Sequence, residues 1–193
     1  MNKNYLLFLF IISFSIGILI FVSLPKTKII TTHSIILEKN LPDLISESNV
    51  IIKGKIGNKL PSRWTNPDFI RGDHIRNIIQ TDTNISIIEV LKGVPYNNSS
   101  LNLRTDTGKL DNVEYISEDI PALTYNEEVI LFLSKDDSDV ANPAENYYVL
   151  TGMGQGLYIK EPYADSLYTC FYDQENQNII EESVFKDMIA ASN

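Results

Sequence analysis

Few side chains in this chain of 193 residues could support covalent or acid–base catalysis. It contains two histidines, His33 and His74, and one cysteine, Cys170. A nucleophilic site would need a histidine beside the cysteine or beside an activated serine, and the G-x-S-x-G nucleophile elbow does not occur. We therefore interpret His74 as a loop residue and Cys170 as a small apolar side chain in a strand, and we predict that the protein is not an enzyme.

Carboxylates offer the alternative chemistry. Glu118 and Asp119, within the irregular segment 106–127, could serve a hydrolase as general acid and base if burial separated their pKa values. The acidic run 136–139 supplies oxygen ligands, but it lacks the glycine and the closing glutamate of a calcium loop. The glycines of 152–156 do not have the dinucleotide-binding spacing, and no helix is predicted after them. We predict no metal site and no cofactor.

Aromatic and basic side chains cluster in a long loop and offer binding chemistry instead. Tryptophan and arginine are typical anchors of binding surfaces, and loops at one end of a barrel commonly carry the contacts. We predict a partner-binding face there, and the alternative is that Trp64 only covers the end of the barrel. The candidate binding residues are Arg63, Trp64, Phe69, Arg71 and His74.

The first element that must position this chemistry is an apolar segment near the amino terminus. The run from Tyr5 to Leu24 contains no charged residue, and as a helix it would be about 30 Å long, which matches the hydrocarbon core of a bilayer. It is longer than the apolar region of a secretory signal, and Val22 and Leu24 are too bulky for a typical cleavage site. We predict a signal anchor over residues 1–28, and the alternative is a cleaved signal.

The charge balance restricts location and partners. Lys plus Arg total 16 and Asp plus Glu total 25, so the formal net charge is −9. Binding to nucleic acid needs clustered basic residues, so we exclude it, and anionic headgroups would repel the acidic domain from the membrane surface. A short amino-terminal tail normally stays inside while a long domain is carried across. We expect a single-pass protein of the cell membrane with its carboxy-terminal domain outside the cytoplasm, or a secreted protein if the signal is cleaved.

The rest of the chain is predicted to be a tether at 29–40 followed by one domain at 41–193. Asn40 and Pro42 predict a short helix over about Leu41–Glu47. Alternating apolar residues predict strands, and the uniformly apolar run 129–133 predicts a central strand covered on both faces. A change of apolar parity within 75–92 predicts a β-bulge.

The order of elements defines the fold class. Seven short strands, with helices only near the two ends, indicate a mainly β domain, an antiparallel β-barrel or sandwich. The end of the chain, 182–191, has apolar residues at helical spacing and predicts an amphipathic closing helix. The sequence Thr-Asp-Thr occurs at both 81–83 and 105–107, which is too short to be taken as an internal repeat.

Three segments carry a resemblance to a known family. They are Ser46–Ile56, the strand end Glu89–Gly93 and the run Tyr125–Leu133. In this order they resemble the netrin-like module, the OB-type barrel that also occurs in tissue inhibitors of metalloproteinases. The resemblance covers roughly residues 41–159 and implies an OB-like β-barrel with short flanking helices. The inhibitors of that family use an amino-terminal cysteine to bind the zinc of their target, and this chain has no cysteine there.

The sequence therefore favours a membrane-anchored, extracytoplasmic binding module without a cofactor. Its expected ligand is a protein, a peptide or another component of the cell envelope, recognised through loops at one end of the barrel. Two alternatives stay open: a hydrolase that depends on carboxylates, and a protein similar to a protease inhibitor but with an altered mechanism.

Overall fold

A computed structural model describes residues 26–33, 37–66, 77–120, 122–161, 169–173 and 179–192, and also the helical positions 3, 5, 10 and 12–14. Most of the predicted anchor, residues 5–24, lies outside the described residues. Within the described part of the chain, no helix has both the length and the apolar character needed to cross a membrane.

The described residues are mainly β, as predicted, with two short helices. The first half contains β1 (Lys28–Thr32), α1 (Leu41–Glu47), β2 (Val50–Lys59), β3 (Arg63–Trp64), β4 (Ile79–Lys92) and β5 (Ser100–Thr105). The second half contains β6 (Gly108–Leu110), β7 (Val113–Ser117), β8 (Glu128–Ser134), β9 (Val149–Leu150), a 3-10 turn (Met153–Gly156), β10 (Leu157–Lys160), β11 (Cys170–Asp173), β12 (Ile179–Glu181) and α2 (Glu182–Ala191).

The larger sheet is antiparallel and has β8 near its centre. Its hydrogen-bonded order is β12-β11-β10-β8-β2-β4-β3, while β5 pairs with β4 and β9 pairs with β8. The side chains of β8 from Val129 to Leu133 have no exposed surface, because two different apolar clusters cover the two faces of the strand. The prediction of a central strand buried on both faces is confirmed.

The two helices cover the outer face of this sheet. Asn40 accepts a hydrogen bond of 2.9 Å from the backbone N–H of Asp43 and so begins α1, as predicted. Phe185 and Ile189 of α2 are buried against Phe132 and Phe171 of the sheet, so the amphipathic closing helix is also confirmed. The predicted bulge is present, since the β2–β4 ladder shifts its register at three places.

The predicted closed barrel is not formed by the strand ladders among the described residues. β5 pairs with β4 along six residues, but its only link to the β9 side is a parallel bridge between Leu103 and Tyr148. The backbone N–H of Arg104 donates to the carbonyl of Tyr148 at 2.8 Å, and the N–H of Tyr148 donates to the carbonyl of Asn102 at 2.9 Å. A longer ladder cannot form because β9 has two residues and the chain then turns at Gly152, whose φ is +66°.

A second, three-stranded sheet joins the predicted tether to the domain. Its order is β1-β7-β6, and β1 runs parallel to β7 from the pair Lys28–Val113 to the pair Thr32–Ser117. Part of the segment that we predicted to be a tether is therefore a strand. β6 and β7 also lie within 106–127, which we predicted to be irregular. Their alternation is too short to be recognised, and β1, the second partner of β7, is distant in sequence.

A series of ion pairs, in which basic and acidic side chains alternate, links α2 to the outer face of the sheet. They follow the order Lys160, Glu128, Lys53, Glu182, Lys186 and Glu89. Lys53 lies 2.7 Å from Glu182 and 3.0 Å from Glu128. Burial alone would raise the pKa of both glutamates, but the hydrogen bonds and positive charges of the lysines outweigh it. The pKa of each therefore lies below its ordinary value.

We expect the free energy of unfolding to fall in acid because of these two glutamates. Since their pKa values are lowered on folding, their stabilisation is complete above the ordinary glutamate pKa of 4.5 and is lost as the pH falls through the folded-state values. Glu182→Gln should cost about 2 kcal/mol at pH 7 and reduce this acid dependence. Urea unfolding of the full chain between pH 7 and pH 3 measures both effects.

The matched control is Glu181→Gln. Glu181 is the exposed neighbour of Glu182, and it makes no ion pair with a described residue. This variant should retain the stability and the acid dependence of the unchanged protein. An unchanged acid dependence in Glu182→Gln would contradict the assignment.

Candidate functional site

The candidate site is built on β4 and β5, where the loop after β2 meets the loop after β8. The ladder between these strands sets Thr81 opposite Thr105 and Asp82 opposite Arg104. Residues opposite each other in an antiparallel ladder have neighbouring side chains on the same face. The register of this one hairpin therefore decides which polar groups meet at the site.

Four charged side chains form an arginine cluster at this end of the sheet: Arg63, Asp82, Arg104 and Glu145. The side chain of Arg104 is only 2% exposed, and its Nε and Nη2 lie 2.7 and 2.8 Å from the two carboxylate oxygens of Asp82. Its Nη2 is also 2.5 Å from Glu145, which Arg63 contacts as well. The cluster thus ties β3 and the acidic loop, residues 135–148, to the β4–β5 hairpin.

Tyr147 extends this cluster into the acidic loop. The guanidinium carbon of Arg104 lies 3.5 Å from the centroid of the Tyr147 ring, which is a cation–π contact. The Tyr147 hydroxyl donates to Asp136 at 2.7 Å and accepts from the N–H of Asn142 at 2.9 Å. Burial raises the pKa of Tyr147 to about 12, so this hydroxyl keeps its proton at physiological pH. The buried ring and the hydrogen-bonded hydroxyl of Tyr147 therefore anchor the acidic loop to the domain.

One cavity of about 200 Å³ lies beside the arginine cluster. Its apolar lining includes Ile120, Val149, Leu150 and Met153. Asp106 and Asp136 also line it. The carboxylate of Asp106 accepts a hydrogen bond from Gln80, and that of Asp136 accepts one from Tyr147. The cavity is thus a preformed recess with a fixed acidic edge.

A second cavity of about 450 Å³, which we call the hydroxyl groove, adjoins the first one and shares Thr105 and Ile120 with it. It lies between the larger sheet and the β6–β7 hairpin. Its polar lining includes the hydroxyls of Ser62, Thr81, Thr105 and Thr107 and the side chains of Lys59 and Lys109. Its apolar lining includes Tyr115, Ile116 and Leu123. Together the two cavities make a continuous concave surface at the loop end.

Two of the five predicted binding residues lie beside this surface. Arg63 belongs to the arginine cluster, and Trp64 is half-buried with its ring edge against Tyr115, at 6.2 Å between centroids and an angle of 87°. Phe69, Arg71 and His74 lie outside the described residues. The predicted five-residue face therefore stays a prediction, and Trp64 supports the wall of the groove.

The carboxylates of the hydrolase alternative lie elsewhere, where β1 and β7 end. Asp119 is 10% exposed and Glu118 is 62% exposed. The Nδ1 atom of His33 lies 3.4 Å from Asp119 and 3.6 Å from Glu118. These three residues line neither of the two cavities. Among the described residues, no group of three or more histidine, cysteine or carboxylate side chains is arranged to hold a metal ion.

The sequence analysis missed Arg104, Tyr147 and the groove hydroxyls. A partial signal was present in the repeated Thr-Asp-Thr at 81–83 and 105–107, because the first threonines of the two segments, Thr81 and Thr105, are opposite each other in the β4–β5 ladder. Asp82 then meets Arg104, and Asp106 accepts a hydrogen bond of 2.8 Å from Gln80. The repeat therefore lies where the polar residues of β4 and of the end of β5 come together.

No protein-family model matches the chain, and no curated protein matches it significantly. The site is therefore interpreted from its own geometry.

Arg104→Leu should destabilise the protein by about 3–5 kcal/mol, because it leaves the carboxylates of Asp82 and Glu145 without their buried partner. Arg104→Lys should recover only part of this loss, since an ammonium group cannot form the two-pronged contact. Arg63→Ala is the matched control: Arg63 contacts the same carboxylates but is 44% exposed, so its loss should cost at most about 1 kcal/mol. Urea unfolding measures all three, and equal losses for Arg104→Leu and Arg63→Ala would contradict the buried role of Arg104.

Proposed function

We propose that this protein is a membrane-anchored binding module outside the cytoplasm, which recognises a component of the cell envelope at the loop end of an OB-type barrel. The observation that carries the proposal is the pair of adjoining cavities beside β4 and β5, the smaller of which is lined by the buried Arg104 of the arginine cluster. Ligand sites are typically concave, largely preformed and lined by apolar groups with a few fixed polar ones.

The barrel part of the proposal is supported by the order of strand pairs. β2 pairs with β4 and β8, β5 pairs with β4, and β9 pairs with β8. The bridge from Leu103 to Tyr148 links β5 to the residue before β9 and is parallel. Together these pairs connect β2, β4, β5, β9 and β8 in a ring. We propose that this ring is a small OB-type barrel closed by one bridge. In such folds the second and third strands and the loops beside them carry the ligand, and these correspond to β4, β5 and the loops after β2 and β8.

The chemistry of the site favours binding over catalysis. The charged groups of the arginine cluster pair with one another, and the Tyr147 hydroxyl is hydrogen-bonded to Asp136 and to the N–H of Asn142, so these groups are engaged in holding the loop end together. The hydrolase alternative would use Glu118 and Asp119, of which Glu118 is mostly exposed. The inhibitor alternative has no cysteine beside the proposed surface.

The position of β1 relates the groove to the proposed anchor. β1 begins at Lys28, four residues after the predicted apolar segment ends at Leu24. An extended chain covers about 3.5 Å per residue, so the start of β1 would lie within about 14 Å of the membrane. Its partner β7 lines the hydroxyl groove. An anchored protein would therefore hold the groove close to the outer surface of the membrane.

The proposed orientation predicts one pattern of proteolysis. In sealed right-side-out membrane vesicles, added protease should digest a tag placed after Asn193, because the domain faces the added enzyme. In inside-out vesicles the tag should survive until detergent opens the membrane. Immunoblotting of the tag measures both. Survival in right-side-out vesicles, or recovery of the intact chain in the supernatant after lysis, would refute the location.

The proposed binding surface predicts position-dependent capture of a ligand. A photo-cross-linking residue at Lys109, which lines the groove, should yield a discrete adduct in intact cells. The matched control is the same residue at Asp187, which is exposed on the opposite, helix-covered side. Gel shift and mass spectrometry identify adducts. No adduct at position 109, or the same adducts at both positions, would contradict the proposal.

A further inference from the structure

Four hydroxyl groups, those of Ser62, Thr81, Thr105 and Thr107, form what we call the floor of the hydroxyl groove. All four donate their protons within the protein. The Thr81 hydroxyl donates to the carbonyl of Thr107 at 2.6 Å, so the Ser62 hydroxyl must donate to Thr81, at 2.8 Å. The Thr105 hydroxyl donates to the carbonyl of Thr81 at 3.3 Å, so the Thr107 hydroxyl must donate to Thr105, at 3.0 Å. Each hydroxyl has one proton and two lone pairs. All four protons are therefore used inside the protein, and the floor offers only acceptors to a ligand.

The backbone of Gly108 gives these hydroxyls the space that they need. Its φ of +147° lies in a region that side chains disfavour. A Cβ atom at this position would collide with the hydroxyl oxygens of Thr81 and Ser62. The close packing of backbone against hydroxyls thus depends on the absence of a side chain at Gly108.

The rest of the groove supplies the complementary chemistry. Lys59, Lys109 and Glu114 line it, and none of them forms an ion pair with a described residue. Glu114 is opposite Lys109 in the β6–β7 ladder, so two lysines and one glutamate leave the lining with one excess positive charge, in a chain whose net charge is −9. Tyr115 adds an aromatic surface, which Trp64 fixes from its other side. A ligand that fits all three parts carries many donors, an anionic group and an apolar face.

We propose that the hydroxyl groove binds an acidic saccharide, a sugar ring that carries a carboxylate or phosphate group. Sugar hydroxyls would donate to the acceptor-only floor, the anionic group would meet Lys59 or Lys109, and the C–H face of the ring would contact Tyr115. A peptide fits less well, because its backbone offers one N–H donor per residue, whereas a sugar ring offers several hydroxyl donors. This inference specifies the ligand class of the proposed binding function and rests on it.

The single tryptophan of the chain makes the test direct. Trp64 contacts Tyr115, which lines the groove, so its fluorescence should report occupancy. The full chain is titrated in a polyoxyethylene detergent, since the sugar headgroups of maltosides would compete. The probes are trigalacturonate, the neutral sugar maltotriose, the acidic peptide triglutamate, and inorganic phosphate. We expect saturable binding of trigalacturonate and at least about tenfold weaker binding of the other three.

Variants assign the binding to the groove. Lys109→Gln and Lys59→Gln should each weaken trigalacturonate binding about fivefold, the effect of one partly exposed charge contact. Thr107→Val keeps the shape and removes acceptor lone pairs, so it should weaken binding as well. Lys55→Gln is the matched control: it removes an exposed lysine from the same strand as Lys59 and should leave the affinity unchanged.

Each other outcome has a defined meaning. Phosphate or triglutamate binding as tightly as trigalacturonate would reduce the groove to an anion site and overturn the saccharide inference. Equal loss of affinity with Lys55→Gln would show general charge attraction and also overturn it. If no probe binds while the residue at position 109 still captures a ligand in cells, the inference fails and the proposed binding function stands.

Discussion

The burial of one guanidinium group is the constraint on which the loop end of this protein depends. A charged side chain removed from water is costly unless opposite charges and hydrogen bonds surround it. Arg104 meets this condition through two oxygens of Asp82, one of Glu145 and the ring of Tyr147. Asp82 belongs to β4, and Glu145 and Tyr147 belong to the acidic loop. Pairing the charge of Arg104 therefore fixes the position of the acidic loop relative to β4. The smaller cavity lies beside this arrangement and is lined in part by Arg104.

In the larger sheet, the contacts that stabilise the fold lie mainly apart from the proposed binding surface. Its outer face carries the helices and ion pairs that alternate from Lys160 to Glu89, and its inner face carries an apolar cluster that includes Ile52 and Leu131. The concave surface lies at one end of the sheet and shares Leu123 and Leu150 with the inner cluster. Changes in the groove lining can therefore alter affinity while the main apolar contacts persist, which suits a scaffold whose polar edge recognises a ligand.

The parallel pairing of β1 with β7 changes how the proposed anchor relates to the domain. A flexible linker would let the domain sample many orientations, whereas a paired strand fixes one edge. The amide of Gln155 adds a second attachment, since it accepts from the N–H of Lys39 at 2.6 Å and donates to the carbonyl of Leu37 at 3.1 Å. The segment before the domain is thus held at two points, and the groove beside β7 would keep a constant position relative to the proposed anchor.

The sequence by itself determined what depends on neighbours along the chain. Asn40 and Pro42 specified the first helix, and the apolar run 129–133 specified the central strand, because caps and burial patterns are local. Only the tertiary structure decided the site. The partners of Arg104 lie 22 and 41 residues away, and the pairing of β1 with β7 joins segments that single-sequence patterns treat separately. In the sequence, the polar residues that make such contacts cannot be distinguished from solvated loop residues. Their contribution to stability comes from being buried against one another, and only the register of the strands brings them together.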